Sequence, residues 1–197
     1  GTQDGAPGDL FGPIFPQPLD AATHAAGNDV FHGDGGFDEN LGEGGDDIVV
    51  VSEGPDRDKA GSGYDWATFK DDKFGVVADM SRIVHEQLPN FTESVRGVHV
   101  LYQLVEGLSG SHFSDLLTGS DDDSTRILAV VLEEGADHAL RNFAAVNGLR
   151  AFVGAAGNGA DGIANTADDV FDGGNIILGG GGSDVIEGRG GDDLIDG

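Results

Sequence analysis

Asp29, Asp38, Asp47, Asp56 and Asp65 follow one another at a spacing of nine, each preceded two residues earlier by a glycine: Gly27, Gly36, Gly45, Gly54 and Gly63. The pair returns near the C-terminus as Gly182/Asp184 and Gly191/Asp193, again nine apart. Aspartate supplies the hard anionic oxygen that Ca²⁺ collects in a shell of about six to eight oxygens. A glycine beside it lets the backbone take φ > 0 and bring its carbonyls to the same ion. A disordered acidic tract has no use for a nine-residue register, so these residues read as a row of calcium sites rather than a solvated acidic surface.

The elements that position such a row follow from the same period. Each nonapeptide holds a turn and then a short strand, and the apolar residue two places after the aspartate points inward: Phe31, Val49, Ile177, Ile186 and Ile195. Consecutive turns fall on opposite sides, so residues eighteen apart stack. Asp29, Asp47 and Asp65 are then expected along one edge, and Asp38 and Asp56 along the other. The pattern has faults. Asn40, Asp58 and Ala67 stand where a large apolar residue is expected, Val51 and Ser52 replace a leading glycine pair, and Asn175 replaces an aspartate. The turn at Pro55–Asp56 is the weakest of the series.

The nonapeptide is similar to the calcium-binding repeat of RTX (repeats-in-toxin) proteins. The stretches GNDVFHGDGG, GSGYDWATFKDD, VEGLSGSHFSDLLTG and GNIILGGGGSDVIEGRGGDDLIDG, in that order, resemble the C-terminal region of bacterial RTX proteins that carry an animal-type haem peroxidase domain. The resemblance spans about residues 24–119 and 158–197. It implies a mainly β fold, a parallel β-roll (a calcium-stabilised β-solenoid) with a small helical insertion and several bound Ca²⁺ ions. It also implies a secreted bacterial protein exported by type I secretion, with a catalytic domain upstream in the same polypeptide. The chain opens without methionine and stops in mid-repeat, which reads as a segment of a larger protein.

Composition agrees. Ten Lys+Arg face 36 Asp+Glu, a formal net charge of −26 that opposes compaction and excludes nucleic acid as a partner. Such a chain completes its fold with cations, and without them the repeats bury too little apolar surface to offset chain entropy. Cysteine is absent, so neither disulfides nor thiolate chemistry operate. No apolar run reaches the roughly 18–20 residues of a membrane span, and no N-terminal signal peptide is visible.

The chain divides into a proline-rich linker, 1–22; a first part of the roll, 23–119; a partly helical insertion, 120–160; and a calcium loop with closing repeats of the same roll, 161–197. In the first part, Trp66–Phe69 and Gly75–Met80 alternate as two strands joined by a polar turn at Lys70–Lys73. Residues 84–100 form an excursion with a turn at Pro89–Asn90. Leu104–Gly119 is a degenerate repeat around Asp115, with His112 where turn glycine is expected. The acidic run Asp121–Asp123 reads as a solvated loop. Leu140, Phe143, Ala144, Leu149 and Phe152 fall at helical spacing, with Gly148 as an interruption. Asp161, Asn165, Asp168 and Asp169 surround two tight turns, a separate calcium loop that does not follow the EF-hand pattern.

Enzymatic motifs fail on inspection. His85–Glu86 begins H-E-x-x-H, but Pro89 stands where the second histidine belongs; Gly107–Ser111 fails G-x-S-x-G at its last position. The haem domain's own histidine and arginine chemistry is not carried here. Three function classes remain. The first is a non-catalytic calcium-folding module that supports secretion and stability of a larger protein. The second is an adhesin segment contacting surface glycans or a host protein. The third is a catalytic module of the alginate-epimerase type.

Overall fold

A computed structural model describes residues 27–33, 38–42, 44–51, 56–81, 100–121 and 138–197. The fold is mainly β: the described residues hold twelve short strands, all paired in parallel, and one short α-helix. Strands β1 (Val30–His32), β3 (Ile48–Val50), β5 (Trp66–Thr68), β8 (Gly107–Ser109), β10 (Ile176–Leu178) and β12 (Leu194–Asp196) form one six-stranded sheet, adjacent in that order. The intervening strands lie in two three-stranded sheets. One is β2 (Glu39–Leu41), β4 (Asp56–Lys59) and β7 (Val100–Gln103); the other is β6 (Val77–Asp79), β9 (Leu116–Thr118) and β11 (Val185–Glu187). From β1 to β6, and again from β7 to β12, the chain alternates between the large sheet and a small one. β7 takes the place beside β4 that an unbroken ladder would have given to β6.

The expected eighteen-residue stacking holds where the repeats are regular: Val30 pairs with Ile48, Ile48 with Trp66, and Ile176 with Leu194. Elsewhere the sheet advances one strand while the chain travels further. Trp66 pairs with Gly107, and Gly107 with Ile176. The C-terminal repeats therefore stack on the strands that flank Asp115, through β10 on β8 and β11 on β9.

One hydrophobic core lies between the sheets. The column Val49, Ala67, Leu108 and Ile177 of the large sheet meets Ala78, Leu117 and Met80. Phe31 and Ile186 are half-buried against it, whereas Ile195, in the last strand, is exposed, so the inward-facing expectation fails there. Ala67 fits because its column is closely packed. Asn40 and Asp58, also at apolar positions, meet one another, Asn40 Nδ2 donating to Asp58 Oδ1 at 2.8 Å, while Asp58 Oδ2 stays buried without a hydrogen-bond partner.

A second cluster covers the opposite face of the large sheet. Trp66, Ile176 and Tyr64 pack against Leu140, Leu149, Val153 and Phe171. This corrects the helical reading of residues 140–152. The helix α1 covers only Leu149–Val153, followed by a turn of 3₁₀ helix, Gly154–Gly157. Leu140 instead pairs with Phe171 in an antiparallel bridge, and Gly148 caps the helix at φ 89°. The apolar residues recur at near-helical spacing because they must reach one flat sheet face. The linker 1–22, most of the excursion, Asp122, Asp123 and the start of the helical stretch lie outside the described residues. Among the described residues no helix is long and apolar enough to cross a membrane.

Trp66 is a central residue of the second cluster. It is 4 % exposed, its Nε1–H donates to Ser109 Oγ at 2.6 Å, and a side chain at Gly107 would strike its ring. Trp66→Ala is expected to cost about 3–5 kcal/mol, read as a lower denaturation midpoint in saturating Ca²⁺.

Candidate metal centre

The repeated aspartates form ladders through their own backbone. Asp29 N–H donates to Asp47 Oδ1, and Asp47 N–H to Asp65 Oδ1, both at 2.8 Å. On the other edge Asp38 N–H donates to Asp56 Oδ1 at 3.2 Å, and Asp115 N–H to Asp184 Oδ1 at 2.9 Å. Asn175 N–H donates to Asp193 Oδ1 at 2.7 Å. Each carboxylate thus spends one oxygen on the stacked residue of the preceding turn. The structure brings together the two edges that the spacing predicts. Asp56 keeps its place, although it lies in β4 itself rather than in an open turn.

The second oxygens are what remain. Oδ2 of Asp38, Asp47 and Asp65 is buried without a hydrogen-bond partner. Burial is the first cause that lifts the Asp47 carboxyl to about 6, and it pushes Asp65 well above the usual carboxylate range, with Glu106 adding to it. Burial raises Asp193 as well. An unpartnered buried carboxylate is costly unless a cation meets it.

Glycines let the backbone lie close against several side-chain oxygens of the ladders. A Cβ on Gly42 would collide with Asp47 Oδ2 and with the Ala60 carbonyl oxygen together. Gly110 stands in the same relation to Asp115 Oδ2 and the Gly179 carbonyl, and Gly119 to Asn175 Oδ1 and the Gly188 carbonyl. One side-chain oxygen and one carbonyl therefore lie against each of these glycines more closely than a residue with a Cβ would allow. The glycine two residues before the aspartate has the predicted left-handed backbone at Gly45 (φ 119°) and Gly63 (φ 126°), as it does at Gly182 and Gly191. A Cβ on Gly63 would strike the Gly45 carbonyl, and one on Gly45 the Gly27 carbonyl, so the turns lie directly on one another. Gly36 and Gly54 lie outside the described residues.

The donor set is oxygen-only and rich in carbonyls. Among the described residues no three histidine, aspartate or glutamate side chains converge to hold a metal by themselves. That composition fits a hard cation such as Ca²⁺ and not a softer ion held by imidazole or thiolate.

Glu106 was not legible as a member of the row. It takes the next place after Asp65, accepting the Asp65 N–H on Oε2 at 2.9 Å. Leu104 stands where the repeats have glycine and still adopts φ 59°. The turn keeps its shape while losing the G-x-D signature. Around Asp115 the residue at the corresponding glycine place is Phe113, not His112, and Asp115 Oδ2 accepts the Ser111 N–H at 2.7 Å.

The separate loop at 161–169 satisfies itself. Asp168 Oδ2 accepts the N–H groups of Ala160 and Asp161, and the Thr166 hydroxyl and that backbone hold Asp168 below the usual carboxylate range. Asn165 takes φ 64° and donates its N–H to Asp169 Oδ2, which also meets Arg150 Nη2 at 3.2 Å. Asp161 Oδ1 accepts the Ile163 N–H. These four residues are gathered as the spacing predicts, with Arg150 supplying the positive charge. Comparison with protein-family models, curated proteins and solved structures returned no significant match to this chain.

Proposed function

We propose that the chain is a calcium-binding module of the RTX type, a parallel β-roll that folds on Ca²⁺ outside the cell. It is non-catalytic and supports the secretion and stability of a larger protein. The observation that supports this reading is the row of buried second oxygens without a hydrogen-bond partner at Asp38, Asp47 and Asp65, with the Ala60 carbonyl beside that of Asp47 at Gly42. Asp29, Asp47 and Asp65 would hold ions along one edge, and Asp38, Asp56, Asp115 and Asp184 along the other, with Asp193 closing the array. Bound Ca²⁺ supplies the positive charge that the buried carboxylates lack.

Two variants test the reading from opposite sides of one site. Asp47→Ala removes the carboxylate, and Gly42→Ala leaves it but fills the space in front of it. Both are expected to raise the midpoint calcium concentration clearly in a titration followed by circular dichroism. Asp71→Ala, at an exposed residue paired with Lys70, is expected to leave the midpoint unchanged. Equal midpoints for all three would remove the site.

A further inference from the structure

The edge that begins Asp29, Asp47, Asp65 changes chemistry at its middle. At the next place, Glu106 Oε1 has no hydrogen-bond partner and faces His138 Nδ1 at 3.3 Å. The side chains of His138 and Glu106 are 0 % and 5 % exposed. One place further along stands Asn175, neutral and fully buried, whose Nδ2 donates to the Glu106 carbonyl and to Ser120 Oγ, both at 3.3 Å. Tyr64 donates its hydroxyl to the same Glu106 carbonyl at 3.3 Å. At the preceding places, Asp47 and Asp65, the second carboxylate oxygen is buried with no hydrogen-bond partner. Here it opens onto an imidazole.

His138 belongs to the segment between β9 and β10, whose Leu140, Leu149, Val153 and Phe171 cover Trp66 and Ile176. Along the outward column of the large sheet, burial is deepest at this level: Trp66 is 4 % and Ile176 0 % exposed, against 63 % for Val30 in the first strand. The central strands therefore have both an imidazole at their carboxylate and apolar cover that the outer strands lack.

We infer that the His138 imidazole takes the place at Glu106 that a calcium ion takes in the neighbouring turns, so that β5, β8 and β10 hold together without calcium while the outer coils require it. This rests on the calcium reading above. The insertion is then a built-in substitute for an ion, and the array of ions on this edge is divided into two parts by a metal-free step.

Hydrogen exchange of the whole chain, read by mass spectrometry in excess chelator and in millimolar Ca²⁺, tests it. In chelator, β5, β8, β10 and residues 138–157 are expected to exchange at least about tenfold more slowly than β1–β4. His138→Ala is expected to lose that protection in chelator and to recover it in Ca²⁺. The double variant Glu106→Gln/His138→Ala is expected to regain part of it in chelator, because the carboxylate left unpaired by the single change is gone. Glu106→Gln alone is expected to keep it.

If the single and double variants are equally unprotected, His138 contributes packing only and the inference is overturned. It is also overturned if the wild-type centre exchanges as fast as the ends in chelator while Ca²⁺ protects both, an outcome that leaves the calcium reading standing. Identical exchange everywhere with and without Ca²⁺ removes that reading and the inference together.

Discussion

Excess chelator is expected to abolish most of the β signal in far-UV circular dichroism, and millimolar Ca²⁺ to restore it. The chain carries a net charge of −26 and buries carboxylate oxygens that have no partner of their own. Self-repulsion and desolvation both oppose the folded state until cations are supplied. Extracellular modules bind Ca²⁺ in roughly the 10⁻⁴–10⁻³ M range, and one site held at ~100 times its Kd contributes about 2.7 kcal/mol. A few such sites together are comparable with the whole stability of an ordinary domain, so the dependence is expected to be near all-or-none in the outer strands. Mg²⁺ is expected to substitute poorly, since it demands small octahedral geometry and sheds water reluctantly. A spectrum unchanged by excess chelator would refute the calcium-folding reading.

In chelator, acid is expected to do part of what calcium does. Asp47 moves from 3.8 to about 6 and Asp58 from 3.8 to about 7, both first because of burial. A carboxyl raised in the folded state binds its proton more tightly there than in the unfolded chain. Its contribution is therefore fully present below about pH 4 and is lost as pH rises towards 6 or 7. For Asp58 alone the loss is on the order of 4 kcal/mol, equivalent to about 10 °C of melting temperature for a chain of this size. Melting temperature in chelator is thus expected to fall steeply between pH 5 and pH 7. In saturating Ca²⁺ the slope is expected to be shallower or reversed, because binding requires the deprotonated ligands. Parallel slopes with and without Ca²⁺ would separate these carboxylates from the metal.

The ladders were readable in the sequence because they are periodic. A spacing of nine, doubled, is the pairing of Val30 with Ile48 and of Asp29 with Asp47. Glu106 and His138 had no such signal. Leu104 replaces the turn glycine by accepting left-handed backbone, glutamate replaces aspartate, and the partner histidine comes from a segment with no repeat. The covering residues around Leu140 were misread because a run that must touch a flat sheet face at intervals looks, in one dimension, like a helix. Asn40 and Asp58 were seen as faults in the apolar pattern. That they answer one another could be seen only once eighteen-residue stacking placed them side by side.

The large sheet advances by one strand whether the chain between neighbours is short or long. From Ile48 to Trp66 the step is 18 residues, and from Gly107 to Ile176 it is 69, yet both make the same parallel pairing. Closing the longer loop costs only about 1 kcal/mol more than closing the shorter, since each doubling of length adds roughly 0.6 kcal/mol. The difference falls on the folding rate, because contacts distant in sequence form after local ones. The regular repeats at either end can close their short loops independently, and the pairing of β8 with β10 waits for the longest search. A chain built this way accepts insertions between strands at little thermodynamic cost, and the length of an insertion is set by how long folding can wait.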